Sequence, residues 1–480
     1  MIGKHQLIFD GESFVKGMTT GINTSDGGFT DENNYSVNIT AVPGVLHPAA
    51  NSTDKTGVLS GVIIASTGDA ARVTGATYEK AFITNSGKVL TSDSAQTLTE
   101  RQAAVAGTFQ VGTTDMVEFA SAVYVSNTTN VVKLTSVTTP LDTKDETWGS
   151  VGFGITLQTG TRRPMIAWSG ALWVADRHLL HKYDGTTFSA SKLVLKTGQE
   201  IVALGIDPSS GKMIISLTEG NNYSNTLAQV AKVLTYDGFS AQPTRETIVD
   251  EMVTAFYPLG GVVFVAYGVN LGYWNGAGIS FLRKFKTMTL AANDLAYKHR
   301  FTSIGKTLYV VDGFQLLAYG EVLPGRKVFY FATNNPTNTE TLSFVCNLGS
   351  NLLGLGVTTG GGVTGNFYTF NITSVATAGS GLAIRTPRYN FPRPVYIRSA
   401  YLEFNNSIAD ATGVTLTYQD HLQGGFAETS GTTNNSGAGV YVFENVIGFL
   451  NNKVRMIQFH LEHSLAIGLR RLVVFYDVAE

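Results

Sequence analysis

Apolar and polar residues alternate along most of this chain, or apolar residues come in runs of four to six bounded by Gly, Asn, Asp and Ser. Both patterns mark β-strands. Helical periodicity is nearly absent. The best helical stretch is residues 291–297, and it is short.

One phrase recurs: a Gly- or Ser-led turn, an apolar strand, another turn and a second strand. It reads NSGKVLTSD from Asn85, SAVYVSNTTNVVKL from Ser121 and SGALWVADRHLLHKYDG from Ser169. It returns as SGKMIISLTEG from Ser210, GGVVFVAYGVNLGYWNG from Gly260, GKTLYVVDGFQLLAYG from Gly305 and SNLLGLGVTTG from Ser350. The starts lie about 35 to 50 residues apart, the span of a four-stranded propeller blade. The second strand often ends in an aromatic-Asp/Asn-Gly turn, as at Tyr183-Asp184-Gly185, Tyr236-Asp237-Gly238 and Trp274-Asn275-Gly276. Phe9-Asp10-Gly11 has the same form. Such pairs suit tight hairpins because both residues tolerate φ > 0. A small antiparallel sheet cannot bury both faces alone, and radial packing buries them and leaves few open edges. The pattern therefore predicts a β-propeller of six or seven blades over residues 51–380. A sandwich array or β-solenoid is the competing arrangement, and the spacing favours the propeller.

Residues 381–394 hold Pro387, Pro392 and Pro394 and read as a Pro-rich linker, because proline removes ladder donors. Beyond them the phrase disappears. Residues 395–480 give five or six strands with clean alternation, which predicts a small β-sandwich. Residues 1–50 are rich in turn formers and poor in apolar runs. They read as an extended arm that docks on the propeller and can supply a strand to close the ring. The fold class is all-β: propeller, C-terminal β-sandwich and N-terminal arm.

Composition narrows the function classes. The chain has 480 residues, 43% hydrophobic and 15% charged, with 52 Gly and a net charge of −2. The length allows two or three domains at roughly 150 residues each. The hydrophobic fraction excludes intrinsic disorder, and missing heptads exclude a coiled coil. The near-zero charge excludes a dedicated nucleic-acid binder, which carries a basic excess. The single cysteine, Cys346, forms no internal disulfide or cysteine metal cluster, and its apolar neighbours mark it as a small buried hydrophobe. The first nine residues lack the apolar core of a secretory signal, and no window approaches 18 uninterrupted apolar residues. The expectation is no membrane-spanning segment and synthesis in a cytoplasm.

Candidate chemistry is sparse. GxGxxG after a strand, a P-loop, HExxH and GxSxG are all missing. His178 and His181 lie near Asp176 and Asp184, but three apart on a strand they point to opposite faces. They read as surface and interface histidines, as do His460 and His463. Ser25-Asp26-Gly27-Gly28-Phe29-Thr30 resembles an Asp-box turn but occurs once and lacks the terminal Trp. No spacing nominates the carboxylate pair of a glycosidase. The expectation is a non-enzyme with no cofactor. Basic residues cluster at Arg162-Arg163, Arg283-Lys284-Phe285-Lys286, Lys298-His299-Arg300 and Arg470-Arg471, with Arg385, Arg388, Arg393 and Arg398 along the Pro-rich stretch. They read as solvated or interface-paired charge, or as a strip for an acidic partner surface. Arg385, Arg388, Arg393, Arg398, Arg470 and Arg471 are the candidate interface residues, and Arg283, Lys284 and Lys286 the candidate channel or partner contacts.

Two stretches carry a family resemblance. Near the start, Lys16-Gly17-Met18 precedes a Gly/Asn-rich run, and Tyr35-Ser36-Val37-Asn38-Ile39 is followed by Val42-Pro43-Gly44. In the last region, Arg393-Pro394-Val395-Tyr396-Ile397 leads to Tyr401-Leu402-Glu403-Phe404, and Val414-Thr415-Leu416-Thr417-Tyr418-Gln419-Asp420 runs into Gly424-Gly425-Phe426. Arg455 and Arg470-Arg471 sit in the final strands. With the arm, propeller and sandwich order, the whole chain resembles the tail nozzle, or packaged-DNA stabilisation, proteins of short-tailed bacteriophages. The resemblance implies a virion tail protein assembled in the host cytoplasm. It implies a cyclic ring, most simply a hexamer, docked on the portal-adaptor protein on one face and on a tail needle, plug or other tail protein on the other. Double-stranded DNA is retained and then passed without sequence recognition. The competing reading is a receptor- or carbohydrate-binding propeller of a phage tail or bacterial surface, with Tyr183, Tyr236, Tyr273 and Tyr319 at roughly equivalent blade positions. A propeller hydrolase lacks a carboxylate or metal constellation to support it.

Overall fold

The computed structural model of the chain describes residues 5–9, 18–19, 29–31, 37–38, 47–48, 53–55, 59, 61–68, 80–102, 109–135, 143–148, 157–158, 162–219, 230–285, 288–289, 295–313, 315–323, 326–334, 341–359, 364–373, 382–404, 414–420, 427–428, 432–435, 440–444, 453–463 and 468–479. Their secondary structure is almost entirely strand. The chain divides into two compact units. One comprises Thr53–Gln315 and Thr339–Thr369, and the other Met1–Ser52, Leu316–Asn338 and Phe370–Glu480.

The strand order gives seven four-stranded antiparallel sheets, so the blade count is seven. Blade 1 is Ile63–Ser66, Lys80–Thr84, Val89–Ser92 and Leu98–Gln102. Blade 2 is Asp115–Phe119, Ala122–Ser126, Val131–Thr135 and Thr143–Trp148. Blade 3 is Met165–Trp168, Ala171–Asp176, Leu179–Tyr183 and Phe188–Val194. Blade 4 is Gln199–Ile206, Met213–Glu219, Ala231–Tyr236 and Arg245–Val249. Blade 5 is Val253–Leu259, Val262–Tyr267, Asn270–Trp274 and Ile279–Lys284. Blade 6 is Phe301–Ile304, Thr307–Asp312, Gln315–Leu323 and Arg326–Asn334. Blade 7 is Thr341–Gly349, Leu352–Thr359 and Thr364–Asn371, completed by Thr53–Asp54 from upstream of blade 1. The first strand of each blade meets the first strand of the next, and that of blade 7 meets that of blade 1. This closed circuit makes the sheets a propeller.

The recurring phrases fall on the hairpins. Six of the seven turns join a blade's first and second strands, and Asn85 leads the turn one hairpin later in blade 1. Consecutive positive φ values at Ser169-Gly170 (50° and 71°) and Gly260-Gly261 (61° and 82°) fit the twist of tight hairpins. The second strands are mostly buried, and Ala122–Ser126 and Ala171–Asp176 wholly so, because each blade has a neighbour on both faces. This explains their unbroken apolar runs. The core is a set of clusters between adjacent blades. Val123, Val125 and Ile83 fill the space between blades 1 and 2. Trp173 meets Tyr236 edge-on at 5.9 Å between blades 3 and 4.

Closure rests on blade 7. Tyr368 and Thr369 pair with Asp54 and Thr53, and Leu59 exchanges backbone hydrogen bonds with Gly365. Behind this seam, Phe367 packs on Phe82 of blade 1 and stacks on Phe344 of blade 7, with ring centroids 5.3 and 6.4 Å away.

In the other unit, the N-terminal strand His5–Phe9 pairs with the last strand, Leu469–Val478. Phe29–Asp31 pairs with Leu382–Arg385. The arm strands His5–Phe9, Met18–Thr19 and Phe29–Asp31 therefore extend the C-terminal sheet, Met18–Thr19 and Val37–Asn38 also contact Arg326–Asn334 of blade 6, and the closing strand lies just beyond residue 50. The physical reason is an open sheet edge that needs backbone partners, plus Phe9, which is buried with its ring 6.5 Å from Phe459. The 16-residue strand Tyr389–Phe404 changes partner along its length. Tyr389 and Asn390 pair with Val454–His463, and Val395 onward pairs with Leu469–Val478. Pro392 and Pro394 fall in this register break, where a missing N–H costs no ladder bond. Residues 381–394, read from the sequence as a linker, thus carry strand. The stretch 291–297 forms no α-helix among its described residues 295–297.

The seam yields a stability test. Phe367→Ala leaves a cavity between blades 7 and 1 and should cost about 3–5 kcal/mol. Phe281→Ala, at a 61% exposed position, should stay within about 0.5 kcal/mol. Urea denaturation followed by tryptophan fluorescence measures both.

Candidate functional site

The most unusual feature of the propeller unit is a segment threaded between the innermost strands. Residues 295–300 precede blade 6, with Tyr297 extended and Lys298–Arg300 forming one 3₁₀ turn. All are buried except half-buried Lys298. The turn has no capping side chain, and the Arg300 N–H donates to the Tyr297 carbonyl at 2.8 Å.

Asp115, at the start of blade 2, anchors this strap. Its Oδ1 accepts from the Met116 N–H at 2.7 Å and from His299 Nε2 at 2.9 Å, and Lys298 Nζ lies 2.5 Å away. Its Oδ2 accepts from the Met165 N–H of blade 3 at 2.8 Å. Lys298 Nζ also donates to the Met165 carbonyl at 3.0 Å. The Ser66 N–H of blade 1 approaches His299 Nδ1 at 3.5 Å, so His299 is the neutral tautomer with its proton on Nε2. Tyr297 Oη lies 2.8 Å from the carbonyls of Ile64 and Ser343, and its one proton serves either. The Arg300 guanidinium lies 5.2 Å over the Tyr297 ring and donates to the Leu295 carbonyl. The strap therefore binds blades 1, 2, 3 and 7.

The electrostatics follow from burial. Burial pushes the Asp115 carboxyl up, but the Lys298 ammonium and the His299 hydrogen bond outweigh it and hold it at about 2, below its ordinary 3.8. Burial pushes His299 down despite its bond to Asp115, so the ring is neutral and Lys298 carries the balancing charge. Burial pushes the Tyr297 phenol up to about 12, which keeps it a donor.

The strap separates two spaces. On one side Thr114, Arg162, Pro164 and Leu204 border a cavity of about 30 Å³, room for one water. On the other a cavity of about 250 Å³ lies among the first strands of blades 2, 3, 5, 6 and 7 and the end of that of blade 1.

A second buried charge group sits between blades 2 and 3. Arg163 is fully buried, donates to the Asn127 carbonyl at 3.2 Å and lies 3.5 Å from Asp176. Asp176 accepts from the Gln158 N–H and lies 3.8 Å from His181. His181 is thus interior, which corrects its reading as a surface histidine. Its Nδ1 accepts from the Ser191 N–H. Arg162-Arg163 and His299-Arg300 are likewise interior, against the sequence reading of solvated charge. The acceptors of Arg162, Arg163 and His299 lie too far off in sequence for local pattern to show them, 184 residues in the case of His299 and Asp115. Asp115 and Tyr297 carry no local signal at all. Among the described residues no three His, Cys, Asp or Glu side chains converge as a metal site.

The candidate contact residues scatter. Arg398 pairs with Asp477 at 2.8 Å, and Arg470 and Arg471 both reach Glu403. Arg385 and Arg388 are half-buried and Arg393 is exposed. On the outer strand of blade 5, Arg283 is half-buried and Lys284 exposed, and Lys286 lies outside the described residues. Of Ser25-Asp26-Gly27-Gly28-Phe29-Thr30, only Phe29 and Thr30 are described. Tyr183 and Tyr236 are buried between blades, while Tyr273 and Tyr319 are half-buried. Asp184 and Asp237 cap their turns, Asp237 accepting from the Phe239 and Ser240 N–H groups at 2.9 and 2.8 Å. Those bonds, with the Ser240 hydroxyl foremost, hold its carboxyl at about 2. Cys346 is buried, as expected of a small hydrophobe.

No protein-family model and no curated protein matches the chain. Among solved structures it is similar to a chain of the mitotic checkpoint complex, at 12% identity and a TM-score of 0.42, over 68% of this chain and 98% of that one. It is also similar to the Neurospora crassa Pan2 WD40 domain, at 9% identity and a TM-score of 0.43, over 67% of this chain and 96% of that one.

The strap sets a pH dependence. Both carboxyl and imidazole titrate lower folded than unfolded, so the unfolded chain takes up protons first and acid destabilises the fold. The His299 contribution is full above about pH 6.5 and falls away below it. The Asp115 contribution, on the order of 2 kcal/mol, is lost between about pH 4 and pH 2. Urea midpoints across pH 7 to 5 should fall in the native chain and flatten in His299→Gln. Tyr297→Phe should lower stability by about 1–3 kcal/mol at every pH, since it removes the one hydroxyl donor that the buried Ile64 and Ser343 carbonyls share.

Proposed function

We propose that the chain is a structural subunit of a ring-shaped phage tail nozzle or related tail ring, which docks below the portal-adaptor complex and guides DNA during ejection. The observation that carries this reading is the layout of the chain. A seven-bladed propeller, closed by its own upstream strand, lies in sequence between N- and C-terminal strands that pair with each other. This is the arm, propeller and terminal β-domain order that the nozzle resemblance implies. Such a subunit is stiff because closure leaves few free edges. DNA runs along the axis of the assembled ring and not through each propeller, whose bore holds the strap. The net charge of −2 suits passage, since each phosphate neutralised adds friction as well as affinity.

Side-to-side contacts need apolar surface. Phe239, Ile248 and Phe281 are 88%, 70% and 61% exposed on the outer parts of blades 4 and 5, and we assign them to a heterologous contact with the next copy. Arg283 and Lys284 on the same blade 5 strand flank it.

Negative-stain electron microscopy with light scattering tests the reading. Rings of about six copies around a pore are expected, alone or on the adaptor. Phe281→Asp should abolish the rings while leaving the thermal melting temperature within about 2 °C. A chain that stays monomeric with its adaptor and binds a glycan array would move the assignment to receptor binding.

A further inference from the structure

The larger axial cavity is a built pocket, and its chemistry selects a ligand independently of the nozzle reading. Its floor is Lys298 and His299 of the strap. Its walls include Phe256, Val345 and the stacked pair Tyr257 and Phe301, whose ring centroids are 6.1 Å apart. Exposed Ala167 and half-buried Glu118 also line it and mark its open side. The volume of about 250 Å³ is close to that of drug-sized ligand pockets, apolar with few polar groups.

The polar groups decide the ligand's polar end. Lys298 has three N–H donors. Met165 O and Asp115 Oδ1 take two of them, and the side chain is 30% exposed. A third donor is left for a ligand acceptor. Asp115 already balances the Lys298 charge. A ligand carboxylate therefore finds no unbalanced cation at the floor, and a ligand ammonium meets the Lys298 ammonium there. We propose that the axial cavity binds a small neutral molecule with an aromatic-sized apolar body and an amide or carbonyl oxygen, received by Lys298 Nζ.

Cys346 supplies the readout, because the chain's one thiol lines this cavity. Phenylacetamide, phenylacetate, phenethylamine and ethylbenzene share a body and differ only at the polar end. Each is titrated while the rate of Cys346 reaction with a disulfide reagent is followed. Phenylacetamide should slow the reaction saturably, with an affinity at least tenfold above the other three. Ala167→Trp, at an exposed wall position, should reduce that affinity at least tenfold with the circular dichroism spectrum unchanged. Absence of saturable protection by phenylacetamide in the native chain overturns the proposal. So does a preference for the carboxylate or the amine, or undiminished binding in a folded Ala167→Trp variant.

Discussion

A single buried carboxylate holds the centre of the propeller. Asp115 receives backbone N–H groups from blades 2 and 3 and the two adjacent side chains Lys298 and His299 of the strap. An ionised carboxylate in the interior is costly unless it is paired and hydrogen-bonded. Here four donors satisfy it, and that constrains everything around it. Blade 3 must approach to within a hydrogen bond of blade 2, and the chain must reach the axis before it begins blade 6. His299 must remain neutral to keep Nδ1 facing blade 1. The strap is thus an interior crosslink made of ordinary side chains, and it fixes the innermost strands from within.

Outward from that anchor the forces change. Between blades the interaction is apolar and non-directional, carried by runs such as Ala122–Ser126 and Ala171–Asp176 that are buried on both faces. Where charge does enter, as at Arg163 and Asp176, it sits in a seam between two blades with backbone carbonyl and N–H groups in reach. At the rim the turns carry their own order through Asx bonds such as those of Asp184 and Asp237. These bonds stay within the hairpin and owe nothing to the ring. The seal lies where Thr53–Asp54 pairs with blade 7 and Phe367 packs between blades 7 and 1.

A strap across the axis and a closed perimeter tie the blades together and leave few free edges. On the outer parts of blades 4 and 5, Phe239, Ile248 and Phe281 stand in solvent. The second unit completes its sheet with the N-terminal strand His5–Phe9, joining the two ends of the chain. Terminal strands paired in this way protect an edge that is otherwise open to other chains.

The strand character, the hairpin positions and the propeller were legible in the sequence because they rest on local rules. Side chains alternate across a pleat, tight turns take Gly, Asn or Asp, and double burial removes alternation altogether. Ser169-Gly170 and Tyr183-Asp184-Gly185 announce their hairpins by residue type alone. The count of seven was not legible, because it depends on which distant segment completes the last sheet, and Thr53–Asp54 has no apolar signature. The same reason hid the arm's pairing with the C-terminal strands. The basic triplet Lys298-His299-Arg300 was visible as a cluster, yet its meaning reversed. Alone it is solvated charge, and beside Asp115 it is the interior of the ring. Local sequence fixes what a segment prefers to be. Only the tertiary structure, by bringing an acceptor from 184 residues away, decides whether a charge lies in water or holds the axis together.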